Sequence, residues 1–200
     1  MLTTAKTVLL LAMVLFSMGA LQQNATAPSS SPEYTSDSQL KFPEHYREWI
    51  YLTTGFDMSY NPDSHTGDRH IFDNVFVIPE AYNAFVKTGS WPDKTTIVIE
   101  DRTAEGKGSI NQKGNYQGGK LGLEAHVKDE ARFPGKWAFF SFGENKTAKM
   151  IPTTADCYSC HAAHGAVATT FVQFYPTLLP IATSKATLSP EYLKEVKAQP

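Results

Sequence analysis

Five consecutive residues, Cys157-Tyr158-Ser159-Cys160-His161, carry the clearest chemistry in the chain. Two thiols three positions apart on a helical turn lie on one face, a spacing that reaches the two vinyl groups on one edge of a porphyrin. The next side chain, the His161 imidazole, then points at the iron. The motif implies one covalently attached haem c, with Cys157 and Cys160 as anchors and His161 as an iron ligand. A thioredoxin-like dithiol belongs after an early strand of a βαβ unit, whereas this motif follows the last predicted strand. A structural zinc site needs four ligands, and the chain has no cysteine beyond these two. A disulfide between residues this close constrains almost no chain and leaves His161 without a role.

Five further histidines, His45, His65, His70, His126 and His164, and the thioethers of Met58 and Met150 are candidates for a sixth iron ligand. Each has a plainer reading. His164 follows on the same short helix and is expected at the surface, His65 falls in a loop, and His126 falls on the polar face of its strand. The neighbouring carboxylates Glu100 and Asp101, and Asp129 and Glu130, read as solvated. No Ser-His-Asp arrangement and no phosphate loop is discernible.

The elements that must position the motif fit one domain of ordinary size. The chain has 200 residues, 42% hydrophobic and 12% aromatic, enough apolar material for a core. Its formal charge is -2 and its basic residues are scattered, which disfavours nucleic acid as a partner. Lys6, the uninterrupted apolar run Val8 to Phe16 and the small-residue site Ala25-Thr26-Ala27 read as a signal peptide over residues 1–27. That leader implies export to the periplasm. Residues 28–41, rich in Ser, Pro, Thr and Asp, read as a flexible lead-in. The domain is expected over 42–183, followed by a tail with a short helix over 184–200.

Within the domain, Tyr46, Trp49 and Ile50 have helical spacing, and Gly55 to Gly67 is turn-rich. Four strands are expected at His70–Ile78, Thr95–Asp101, Leu121–Val127 and Lys136–Phe142. Pro79 and Gly89 bracket a helix between the first two strands. Five glycines mark a loop from Gly106 to Gly119. Thr153, Thr154 and Asp156 offer an N-terminal cap to the motif helix, which Gly165 ends. Phe171, Phe174, Tyr175, Leu178 and Leu179 then describe an amphipathic helix kinked at Pro176. The fold class is α+β: an antiparallel sheet with helices packed on one face and a C-terminal haem-c-binding helix.

These segments, in this order, resemble the cytochrome P-460 family, which includes the cytochromes c′-beta. The resemblance rests on Phe42-Pro43 with Tyr46-Arg47-Glu48-Trp49, on Asn74-Val75-Phe76-Val77 with Pro79-Glu80-Ala81-Tyr82, and on Lys87-Thr88-Gly89 with Trp91-Pro92-Asp93. It continues through Gly122-Leu123-Glu124-Ala125 with Val127-Lys128-Asp129, then Trp137-Ala138-Phe139, the CYSCH motif, and Phe174-Tyr175-Pro176. It implies a sheet fold rather than a four-helix bundle. It also implies a five-coordinate haem with His161 as proximal ligand and an open face for small molecules such as nitric oxide. Hydroxylamine-oxidising members carry a further link from a strand lysine to the porphyrin. Ile99 stands at that position here, so a small-ligand-binding cytochrome is the leading expectation. Oxidation of hydroxylamine is the alternative, and six-coordinate electron transfer the second alternative. A redox partner protein and a homodimer are further expectations. Ile97 and Ile99, which share one strand face, and Phe72 and Phe76, which share another, are candidate walls of an apolar ligand pocket.

Overall fold

A computed structural model describes residues 31–59 and 69–198. The apolar leader over 1–27 and His65 lie outside the described residues. A five-stranded antiparallel sheet forms the centre, in the order β2 (Ile50–Phe56), β3 (Ile71–Val77), β4 (Thr96–Glu105), β5 (Tyr116–Lys128) and β6 (Trp137–Ser141). Every strand pairs with its sequence neighbour, so the sheet is a meander. A separate two-stranded pairing joins β1 (Leu40–Lys41) to β7 (Thr147–Ala148).

The meander puts alternate residues of each strand on two faces, and both are covered. On the front face Val75 and Val77 pack with Ile97 and Trp137. Over them lie α1 (Pro79–Thr88), through Ala81 and Phe85, and α3 (Leu179–Ser184), through Ala182. On the back face Val98, Leu123, Ala125, Ala138 and Phe140 meet Leu40, Tyr46 and Ala148 from the chain ends of the sheet. Phe85 is fully buried and stacks obliquely on Trp91 with ring centroids 4.3 Å apart. Burial of such a ring stabilises by about 2–3 kcal/mol.

Helix α1 begins and ends where expected. Pro79 occupies the first turn, where its missing N–H costs nothing, and Gly89 closes the helix at φ 75° with its N–H on the Phe85 carbonyl. The four expected strands are β3 to β6, with β4 and β5 running further into the glycine-rich segment as a hairpin.

Three expectations are corrected. Tyr46, Trp49 and Ile50 do not share a helix: a single 3-10 turn at Tyr46–Glu48 leads directly into β2. The stretch from Phe171 is not one kinked helix either. Prolines 176 and 180 confine it to a 3-10 turn at Val172–Phe174 and the short α3. The motif helix α2 (Asp156–His164) has Ala155 at its N-cap with no side-chain cap, so Thr153 and Thr154 do not cap it. Leu40 and Lys41, at the end of the segment read as a lead-in, are paired in β1, and Leu40 is buried. The chain closes with α4 (Pro190–Ala198), whose Tyr192 N–H donates to the Ser189 hydroxyl.

Candidate functional site

Helix α2 carries the whole motif. Cys157 and Cys160 are both free thiols of intermediate exposure, one helical turn apart. None of the α2 residues is buried, so the helix offers an accessible surface. Tyr158, inside the motif, ties α2 to the sheet: its hydroxyl donates to the Ile151 carbonyl at 3.0 Å and accepts from the Phe139 N–H at 3.3 Å. Burial pushes the Cys157 thiol above its ordinary pKa, and the Glu124 and Asp156 carboxylates add to the rise.

His161 points inward from the last turn of α2. Its ring lies against Phe171, with centroids 4.2 Å apart, and against Phe139 at 4.6 Å. Nδ1 is 2.7 Å from the Thr169 carbonyl. A carbonyl only accepts, so Nδ1 carries the proton and Nε2 keeps its lone pair. Burial lowers the His161 pKa, against the pull of the Thr169 carbonyl. The ring is therefore a neutral imidazole with Nε2 unprotonated at neutral pH.

The turn that supplies this carbonyl is tightly built. Gly165 ends α2 with its N–H on the His161 carbonyl at 3.0 Å. A Cβ at Gly165 would come within 2.7 Å of that oxygen and 2.9 Å of the Ala168 carbonyl and the Thr170 nitrogen. Only glycine admits this approach. Ala168 then adopts φ 52°, and the Thr170 hydroxyl donates to the Val167 carbonyl while accepting from Trp91 Nε1 at 2.8 Å.

His126 is the largest departure from expectation at the site. Its strand alternates as predicted, but the supposed polar face is covered by the motif helix and the 165–170 turn. His126 is 6% exposed, between Trp137, Phe139 and His161. Burial, and then the neighbouring His161, push its pKa well below the ordinary histidine value. Among the described residues, the other candidates each have partners or lie open. His45 meets Glu48 at 3.1 Å, His70 meets Asp57 at 2.6 Å, and His164 meets Glu195 of α4 at 2.9 Å. Met58 and Met150 are exposed.

The front face beyond His161 is less apolar than predicted. Ile97 and Ile99 do share it, but Phe72 and Phe76 lie on the back with Val98 and Arg102 as cross-strand partners. Three carboxyls accompany the isoleucines. Glu124 stands opposite Ile99, and Asp73 stands opposite Asp101. Burial, then the Asp101 charge and hydrogen bond, raise the Asp73 pKa to about 6. Burial also raises Asp101 and Glu124. Asp101, read as solvated, is partly buried, and the grouping with Asp73 and Glu124 was missed because a strand position read singly gives no sign that its cross-strand partner is also acidic.

Two carboxylates read as solvated are buried instead. Glu100 is 1% exposed on the back face, where Arg47, Arg102 and the Tyr46 hydroxyl surround it. Asp129 is 4% exposed and paired with Lys94.

The residues fit a porphyrin held by thioether bonds. Both thiols are free on one face of an accessible helix, and one imidazole presents an available nitrogen. Among the described residues no group of three or more His, Cys, Asp or Glu side chains could hold a bare metal ion. Fold and motif together define an α+β domain with a c-type haem motif on a C-terminal helix. The chain belongs to the cytochrome P460 family, whose model matches residues 43–172, and it is a haem c cytochrome. No curated protein matches the chain.

Proposed function

We propose that this chain is an exported, periplasmic mono-haem cytochrome whose iron is five-coordinate and binds a small neutral ligand such as nitric oxide. Cys157 and Cys160 form the two thioether bonds, and His161 is the proximal ligand through Nε2. The observation that carries the reading is the 2.7 Å hydrogen bond from His161 Nδ1 to the Thr169 carbonyl. It leaves a neutral imidazole with one nitrogen free, as an iron ligand requires. Among the described residues, the histidines that could compete are engaged by carboxylates or buried beside His161 itself.

When bound, the haem supplies a redox-active iron with a coordination position for a small molecule. The protein supplies the proximal ligand, the wall at Ile97 and Ile99, and a local hydrogen-bonding environment. A redox partner protein and a homodimer belong to the same proposal. The ferrous protein is expected to be high-spin and to change its absorption spectrum on addition of carbon monoxide. A low-spin spectrum unaffected by carbon monoxide would overturn the reading.

One observation favours a second reading, oxidation of hydroxylamine. Asp73, Asp101 and Glu124 share the sheet face of Ile99, and an oxidation that releases protons needs acceptors nearby. Ile99 cannot form the lysine-type link to the porphyrin. Turnover of hydroxylamine with an artificial electron acceptor would favour this reading; mass spectrometry showing two thioether bonds and no third link would weigh against it.

A further inference from the structure

The 165–170 turn holds the Thr169 carbonyl on His161, and His126 in turn holds Thr169. Nε2 of His126 is 3.3 Å from the Thr169 hydroxyl. The rest of the His126 ring is clamped. It stacks on Phe139 at 4.0 Å with 15° between planes, and lies 4.4 Å from Trp137. The register Ile97–His126–Phe139 across three strands sets its position on the sheet. A rigid strand therefore carries a polar atom to a turn that is otherwise built around an alanine in the left-handed region.

A phenylalanine would fill this aromatic box without the cost of burying a ring nitrogen. What histidine adds is the contact with Thr169. The side chain and the carbonyl of that one residue thus face two imidazoles, His126 through Oγ1 and His161 through the backbone oxygen.

We propose that His126 is a positioning residue of the haem site. Through the Thr169 hydroxyl it holds the Thr169 carbonyl on His161 Nδ1, and so sets how strongly His161 donates to iron. The inference rests on the reading of His161 as the proximal ligand. A shorter, better-aligned Nδ1–H···O contact gives the imidazole more anionic character and strengthens its bond to a metal. Loosening the turn weakens that bond and makes ligand-driven release of His161 easier.

The test uses the haem-loaded full chain, with the iron–histidine stretch read by resonance Raman in the ferrous state and the reduction potential measured beside it. His126→Phe keeps the aromatic stack and removes the hydrogen bond; Thr169→Val keeps the volume and removes the hydroxyl. Both are expected to lower the stretching frequency, to raise the potential, and to speed loss of His161 on nitric oxide binding by about 10-fold. The double variant should go no further than either single one, and Thr169→Ser should restore the original values. Thr169→Val carries the test alone if His126→Phe does not fold. Unchanged stretch and potential in a loaded Thr169→Val variant would overturn the proposal. Absence of an iron–histidine band in the unsubstituted protein would overturn it in a different way, by removing His161 as the ligand.

Discussion

Glu100 and Asp101 are neighbours on β4, and they meet opposite surroundings. Behind the sheet, Glu100 is enclosed by two guanidinium groups and a phenol, with Arg47 at 2.5 Å and the Tyr46 hydroxyl at 2.8 Å. In front, Asp101 faces Asp73 directly across the strands and has Glu124 on the next strand. The back-face carboxyl group is paired with two guanidinium groups. In front, burial raises the pKa values of Asp73, Asp101 and Glu124, and the Asp101 charge raises Asp73 and Glu124 further, while the hydrogen bond with Asp73 lowers Asp101 itself. One strand therefore separates a fixed ion network that serves the fold from a titratable group of acids beside the candidate haem site.

The comparison predicts opposite responses to removing a charge. Arg102→Met takes a cation from Glu100 and leaves a buried carboxylate undercompensated. Loss of about 3 kcal/mol of stability is expected in urea denaturation. A loss below about 1 kcal/mol would mean Arg47 alone suffices.

On the front side, Gly165→Ala forces a methyl group against backbone atoms of the Thr169 turn. It should cost about 2 kcal/mol and also alter the spectrum of the loaded protein. The Arg102 variant should leave that spectrum unchanged.

The smallest effect is a gain. The folded-state pKa of Asp73, about 6, lies above the ordinary 3.8. Between those values the folded state holds more protons than the unfolded chain, so this residue lowers stability as pH rises, and above pH 6 the loss is complete. After allowance for solvent screening at this partly buried group, the loss is about 1 kcal/mol. Asp73→Asn should recover it at pH 7 and have little effect below pH 3.8. Thermal denaturation of both proteins across that range checks the sign.

Much of the fold was legible because local signals and tertiary structure agree. Strands β3, β4 and β6 are rich in β-branched and aromatic residues, β5 alternates Leu121, Leu123, Ala125 and Val127 on one face, and Pro79 and Gly89 mark both ends of α1. Strand β2 was hidden because Tyr46, Trp49 and Ile50 mimic helical spacing while packing around a 3-10 turn. Strands β1 and β7 have two residues each and exist through pairing across the chain. At the site, the CYSCH spacing was plain. His126 was placed on the correct strand face but given the wrong environment, since alternation reports a face and not what later covers it. Thr169 was invisible, because its contribution is a backbone oxygen in a turn set by Gly165 and Trp91.

Tyr158 has one more consequence, for how molecules of this protein meet each other. β6 is an edge of the five-stranded sheet, and exposed edges invite pairing with another chain. Its outward groups at Phe139 are used: the N–H by the Tyr158 hydroxyl, and the carbonyl by the Ile151 N–H at 2.8 Å. A residue lying between the two motif cysteines thus also covers this edge of the sheet against edge-to-edge pairing.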